Sequence, residues 1–187
     1  MTFRLAFRLL PVRSRFWFLE ASNPGIQRCV RDGCEAIETE EHLFFECTLA
    51  AQVWEHMQLL MSPFFSTRLT WPSIVLAKKP STREEWKGCE EVVCDVWHTM
   101  RSVTLRFLWQ DRNRCLFDGR QPTPITPTMQ VIFSTACAHF RHYLRRLATT
   151  EDQNTLQRIL AVMKRHQGFS AFTTDHSFVL RIRTRED

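Results

Sequence analysis

Three cysteines and one histidine lie close together early in the sequence: Cys29, Cys34, His42 and Cys47, in the pattern Cys-x4-Cys-x7-His-x4-Cys. Thiolate and imidazole are the donors zinc prefers, and pairs at this spacing fall in the range that structural zinc sites use. Four protein ligands complete a tetrahedron and leave no position open for a substrate, so the constellation predicts one structural Zn2+. Arg31-Asp32-Gly33 fills the first interval with turn residues, and Gly33 can take the positive φ that lets both sulfurs converge. The alternative is a set of buried free thiols beside a surface histidine. Four ligands within 19 residues, with a turn between the first two, favour the metal. Its binding, on the order of 10–16 kcal/mol, would replace the core that so short a stretch cannot build.

The elements that must position these ligands follow from local signals. Thr39 is a suitable N-cap, with Glu40 and Glu41 in the first turn, which sets His42 in a short helix. On a continuous α-helix His42 and Cys47 would lie about 140° apart, from five steps at 3.6 residues per turn. A break is therefore expected near Cys47, with Thr48 starting a longer helix. Ala50, Val53, Trp54, Met57, Leu60 and Met61 form one face of that helix, which Ser62-Pro63 ends.

Residues 64–82 read as a loop with Pro72 and Pro80. Trp86, Cys89, Val93, Val96, Met100, Val103 and Phe107 then alternate steps of three and four, the stripe of a long amphipathic helix that stops by Asp118-Gly119. Cys89, Cys94 and His98 do not make a second metal site, because Cys89 and Cys94 lie about 140° apart on that helix. Cys115 and Cys137 read as buried thiols.

Pro122, Pro124 and Pro127 suggest a stiff linker, followed by a helical stripe of Phe133, Ala136, Cys137, Phe140, Tyr143, Leu144 and Leu147. Leu156, Ile159, Leu160 and Met163 suggest a further short helix. The tail alternates Phe178, Leu180 and Ile182 with Arg181, Arg183 and Arg185, the period of a strand. The expected fold is mainly α: a small Cys3His zinc-stabilised module followed by a helical bundle, with a short C-terminal strand. Its expected parts are residues 1–62, the zinc module with its basic N-terminal segment; 63–120, the long helix packed on it; and 121–187, the Pro-rich linker and helical C-terminal region.

The formal charge of +5 is unevenly spread over the 187 residues. Residues 1–33, 34–100, 101–128 and 129–187 balance at +4, −6, +3 and +4, so basic ends surround an acidic middle. Separate positive patches on a polyanion would fit this, as would ordinary solubility. Seven cysteines without a secretory signal suggest a reducing, intracellular setting. Arg4, Arg8, Arg13 and Arg15 interrupt the apolar start, and an acid-free, Arg-rich beginning also fits a mitochondrial presequence. No apolar run approaches the roughly 20 residues that span a bilayer, so no membrane partner is expected.

The stretch from Cys29 to Trp54, with Glu38-Thr39-Glu40-Glu41-His42-Leu43-Phe44-Phe45, then Cys47, Ala50 or Ala51, and Val53-Trp54, resembles the zinc-binding domain that follows the polymerase in non-LTR (LINE-type) retrotransposon reverse transcriptases. Two flanks agree. Phe7-Arg8-Leu9-Leu10-Pro11-Val12-Arg13-Ser14-Arg15 resembles the segment entering that domain, and Trp109-Gln110-Asp111-Arg112-Asn113 with Phe117 resembles its Trp-x-x-Arg-Asn-x-x-x-Phe segment. The likeness covers roughly residues 3–120. It departs at the first cysteine pair, where the family has a shorter interval and places its Gly after the second cysteine. The resemblance implies the end of a retrotransposon polyprotein, a domain that helps hold the element's RNA or target DNA, in a nuclear or cytoplasmic ribonucleoprotein.

No paired aspartates in a hairpin context, Walker A sequence or GxSxG sequence occurs, so an enzyme is not expected. Glu35, Glu38, Glu40, Glu41 and Glu46 around the metal would repel phosphate, and nucleic acid would have to meet basic elements elsewhere. The candidates are Arg8, Arg13 and Arg15; Arg112 and Arg114; Arg141, Arg145 and Arg146; and Arg181 and Arg183 of the tail, with Trp17 and Trp109 able to stack on bases or to serve as core. The competing expectation is a protein-interaction or purely structural remnant domain, whose acidic middle and long helix would suit a helical partner.

Overall fold

The computed structural model describes residues 2–149 except Phe7, Ala77 and Cys89; in places, including residues 143–149, it describes the backbone alone. The fold is mainly helical, with a Cys/His cluster near the N-terminus followed by a helical bundle. Five α-helices follow in order: α1 (Thr2–Ala6), α2 (Thr48–Met61), α3 (Trp71–Val75), α4 (Glu90–Asp118) and α5 (Ile125–Thr149). Between α1 and α2 come a 3-10 turn (Arg13–Leu19) and a single wide π turn (His42–Glu46). The expected helix around Leu156–Met163 and the expected strand at Phe178–Arg185 lie outside the described residues.

The long helix α4 is the spine. α5 packs along it, and α2 and the π turn close the bundle. Val93, Val96, Met100 and Phe107 are buried as their spacing requires, and Trp97, Leu105 and Leu108 widen the buried face beyond one stripe. Trp97 meets Trp54 of α2 and Phe65 of the following loop, with ring centroids 6.4 and 5.8 Å away. Leu5 and Val12 before the cluster and Ile132, Ala136 and Phe140 on α5 join the same core. The N-terminal segment, the Cys/His region and the helices thus share one interior.

The end of α4 follows its sequence signal. Gly119 takes φ 59°, and the Arg120 N–H closes back on the Arg114 carbonyl at 3.3 Å, which satisfies a terminal acceptor. Three stretches differ from the sequence reading. Trp86, the first residue of the expected long-helix stripe, lies in a separate 3-10 turn (Glu84–Trp86) before α4 begins at Glu90. Residues 64–82 hold α3, whose Ser73 hydroxyl accepts the Thr70 N–H at 2.9 Å, a cap that makes five residues helical despite Pro72. Buried Arg101 of α4 donates to the carbonyls of Ile74 and Val75 at the other end of α3. The linker is also shorter than expected. Pro127 sits in the first turn of α5, where its missing N–H leaves no intrahelical bond unmade.

Trp97 and Phe117 lie on the same helix, the first fully buried and the second 75% exposed. Trp97→Ala is expected to cost about 3–5 kcal/mol in urea unfolding, whereas Phe117→Ala should stay within about 0.5 kcal/mol.

Candidate metal centre

The first two ligands sit on a small hairpin. Cys29 N–H donates to Ala36 O at 2.8 Å and Glu38 N–H to Gln27 O at 2.9 Å, around an antiparallel bridge between Arg28 and Ile37. The hairpin turns at Gly33, whose φ of 74° is the reason for glycine there; a Cβ would meet nothing within 4 Å. The Cys34 N–H then closes on the Arg31 carbonyl at 3.1 Å.

The other two ligands come from the π turn. Thr39 Oγ1 accepts the His42 N–H at 3.0 Å, so the helical stretch starts where a cap was expected. Cys47 N–H reaches back five residues to His42 O at 2.7 Å, and Cys47 itself is extended at φ −55° and ψ 141°. The break therefore falls at Cys47, and Thr48 starts α2. A widened turn ending in one extended residue is how the chain overcomes the 140° that an α-helix would impose.

The result is one cluster. The ligand atoms of Cys29, Cys34, His42 and Cys47 all lie within 4.8 Å of one another, and among the described residues no other group of three or more His, Cys, Asp or Glu does this. Cys29 Sγ and Cys47 Sγ are 3.9 Å apart, and Cys34 Sγ is 3.3 Å from His42 Nε2. Tetrahedral zinc with bonds of about 2.3 Å to sulfur and 2.0–2.1 Å to nitrogen would put these atoms about 3.8 and 3.6 Å apart, so the donor set fits. Three of the four ligands are buried and Cys34 is partly so. The contact between the two thiols, together with the Arg31 charge, holds one member of the Cys29–Cys47 pair below the usual thiol range and the other above it.

Two buried ion pairs support the cluster. Arg112 of α4 holds Glu38, at the foot of the hairpin, through Nη2 at 2.6 Å and Nε at 3.1 and 3.2 Å; Glu38 also accepts the Arg13 N–H at 3.0 Å. The second pair joins Arg31, inside the hairpin turn, to Asp111, with Nε 3.5 Å from Oδ2 and no hydrogen-bond geometry between those atoms. Arg31 donates as well to Leu108 O at 3.2 Å and Leu43 O at 3.4 Å. Asp111 and Arg112 follow Phe107 and Leu108 by four residues, on the buried face of α4. That spacing is the signal by which they could have been found as interior residues.

Aromatic contacts complete the frame. Trp54 of α2 donates its indole N–H to the Phe44 carbonyl in the π turn. Phe44 stacks on Trp109 at 6.3 Å and 22°, and Arg112 lies over the Trp109 ring at 5.2 Å. The segments around Glu38, His42–Phe44, Trp54 and Trp109–Arg112 therefore meet around one centre.

The nucleic-acid candidates are differently placed. Arg112 is buried, and its guanidinium is occupied by Glu38 rather than presented to phosphate. Arg13 donates to the carbonyls of Gly25 and Ile26. Arg15 is exposed and paired with Glu40 at 2.6 Å, and Arg8 is exposed. Arg114 and Arg141 are half-buried, with Arg114 over Phe107 at 6.0 Å. The side chains of Arg145 and Arg146, and all of Arg181 and Arg183, lie outside what the structure describes. Trp109 is packed, whereas Trp17 is 68% exposed beside the 61% exposed Phe18. Glu38 faces inward, so it adds nothing to the acidic surface near the cluster.

No family model, curated protein or solved structure matches the chain. Among the described residues no helix is long and apolar enough to cross a membrane.

Removing one partner of the Glu38–Arg112 pair leaves a buried charge alone. Arg112→Met is expected to lose about 3–5 kcal/mol in urea unfolding, and the double variant Glu38→Leu/Arg112→Met should regain much of that loss.

Proposed function

We propose that this chain is a structural-zinc, non-catalytic nucleic-acid-binding module related to the domain that follows the polymerase of non-LTR retrotransposon reverse transcriptases. The observation that carries the reading is the convergence of three cysteines and one histidine, two of them on a turn that departs from α-helical geometry at Cys47. Three sulfurs and one nitrogen match the donor preference of zinc, and four protein ligands make the site structural rather than catalytic. The family reading gains support from the contact between its separate segments: Glu38 with Arg112, and Phe44 with Trp109.

RNA or DNA would meet exposed Arg8 and half-buried Arg114, with Arg15 available only in exchange for its Glu40 partner, and would stack on Trp17. In this reading the zinc holds the N-terminal segment and α4 in place and touches no nucleotide. A second reading, protein interaction, draws on the exposed apolar residues Leu9, Trp17, Phe18 and Leu19 of the N-terminal segment.

Binding of the zinc-loaded chain to a single-stranded RNA and to a DNA duplex, followed against salt, separates the two. The nucleic-acid reading expects affinity to fall steeply with salt. Arg114→Gln should reduce the slope by about 0.7–0.9, the contribution of one phosphate contact, and Trp17→Ala should weaken single-strand binding by about 1–3 kcal/mol. Absence of binding to both at low salt would remove this reading in favour of a protein partner.

A further inference from the structure

A cleft opens onto the metal centre. Its volume is about 230 Å³, and three separate pieces of chain wall it: the hairpin turn, the start of α2 and the connector that leads into α5. Of the four ligands, Cys34 and Cys47 lie in its walls, whereas buried Cys29 and His42 do not. Exposed Gln52 stands on the α2 side and half-buried Ile125 on the connector side. The connector rim is held in place. Thr123 donates its N–H and its hydroxyl to Asp111 Oδ1 at 3.0 and 2.8 Å, and a proline on each side of it fixes φ. The cleft is therefore preformed, and no loop has to move to open it.

Resting on the zinc reading above, we propose that this cleft is the route by which the metal is loaded and withdrawn, through small chelating ligands that reach the cluster at Cys34. A water takes about 30 Å³ of the liquid, so the cleft admits several water-sized groups. That suits one arm of a chelator carrying nitrogen, oxygen or sulfur donors, and excludes a folded domain. Cys34 is the one ligand with partial exposure, and Cys47 beside it is 1% exposed, so an incoming donor meets the Cys34 sulfur first. In the exchange that donor takes the place of the Cys34 thiolate, which leaves with its electron pair and gains a proton from water. Nothing is oxidised or reduced. Approach on the side of Cys29 or His42 would instead require the hairpin or the π turn to open.

Zinc transfer from the full, loaded chain to pyridylazoresorcinol, followed by its colour, tests this. Through a preformed route the transfer rate rises in proportion to chelator concentration, and the slope measures access. Gln52→Trp sets a large ring on the α2 side and is expected to cut that slope several-fold. Loading from buffered zinc should slow by the same factor, because a narrowed route hinders entry and exit alike, and equilibrium affinity should stay near the parent's. Ile125→Ala shortens the side chain on the connector side and should raise the slope. Leu59, 69% exposed, lies twelve residues beyond Cys47 on α2, about 18 Å along the helix axis. Leu59→Trp should therefore transfer zinc with the parent's slope.

A transfer rate independent of chelator concentration overturns the proposal, since zinc would then leave only after the hairpin or the π turn opens. A parental slope in folded Gln52→Trp overturns it as well, as does an equal fall in Leu59→Trp. Should Gln52→Trp fail to fold, Ile125→Ala decides: a raised slope supports the route and a parental one refutes it. A parent chain that binds no zinc defeats the zinc reading itself. One that binds zinc and exchanges it alike in all these variants defeats the route alone.

Discussion

The arrangement depends on bringing four soft donors together from two pieces of chain that do not naturally face each other. Cys29 and Cys34 stand on a hairpin, and His42 and Cys47 on a turn that must widen by one residue to present both ligands. Once these meet within 4.8 Å, much else follows. The hairpin lies against the start of α2, the extended Cys47 sets where α2 begins, and the π turn presents its Phe44 carbonyl to Trp54. A stretch of 19 residues with only Leu43 and Phe44 as large, fully buried apolar side chains has little core of its own. A bound zinc would supply the missing stability, on the order of 10–16 kcal/mol.

Around this centre the protein uses buried charge where a small domain would ordinarily use apolar packing. Glu38–Arg112 and Arg31–Asp111 both join the ligand-bearing segment to neighbouring residues of α4. Such pairs add little net stability, because desolvation offsets much of their attraction. What they add is position. A carboxylate and guanidinium in forked contact tolerate little sliding, so Glu38 and Arg112 fix the hairpin's register against the helix, and the Arg13 N–H brings the N-terminal segment to the same carboxylate. The long helix is therefore both the spine of the bundle and the wall of the Cys/His cluster. Its apolar residues serve the first role, and Asp111 and Arg112 the second.

The cluster and the helical class were legible in the sequence because each rests on a short-range rule. Donor identity and spacing pointed to the four ligands, and the mismatch between five residues and the helical repeat located the break at Cys47. That a π turn would carry the break was not legible, since no residue type specifies it. Helix α3 was missed because five residues are too few for a periodic signal, although Thr70 and Ser73 could have marked its cap. Arg112 looked like a phosphate ligand because isolated charges read as surface. Only its place four residues beyond buried Leu108, and the separate approach of Glu38 from 74 residues away, show otherwise. Trp17 illustrates the reverse: an aromatic that composition assigns to the interior stands on a short 3-10 turn with its ring 68% exposed.

The most direct test of the account is zinc K-edge X-ray absorption on the purified, zinc-loaded chain. It predicts one zinc with three sulfur neighbours at about 2.3 Å and one nitrogen at about 2.0–2.1 Å, and loss of that ordered shell in Cys47→Ser. A folded chain that holds no stoichiometric zinc, or whose zinc is surrounded only by oxygen and nitrogen, would contradict it.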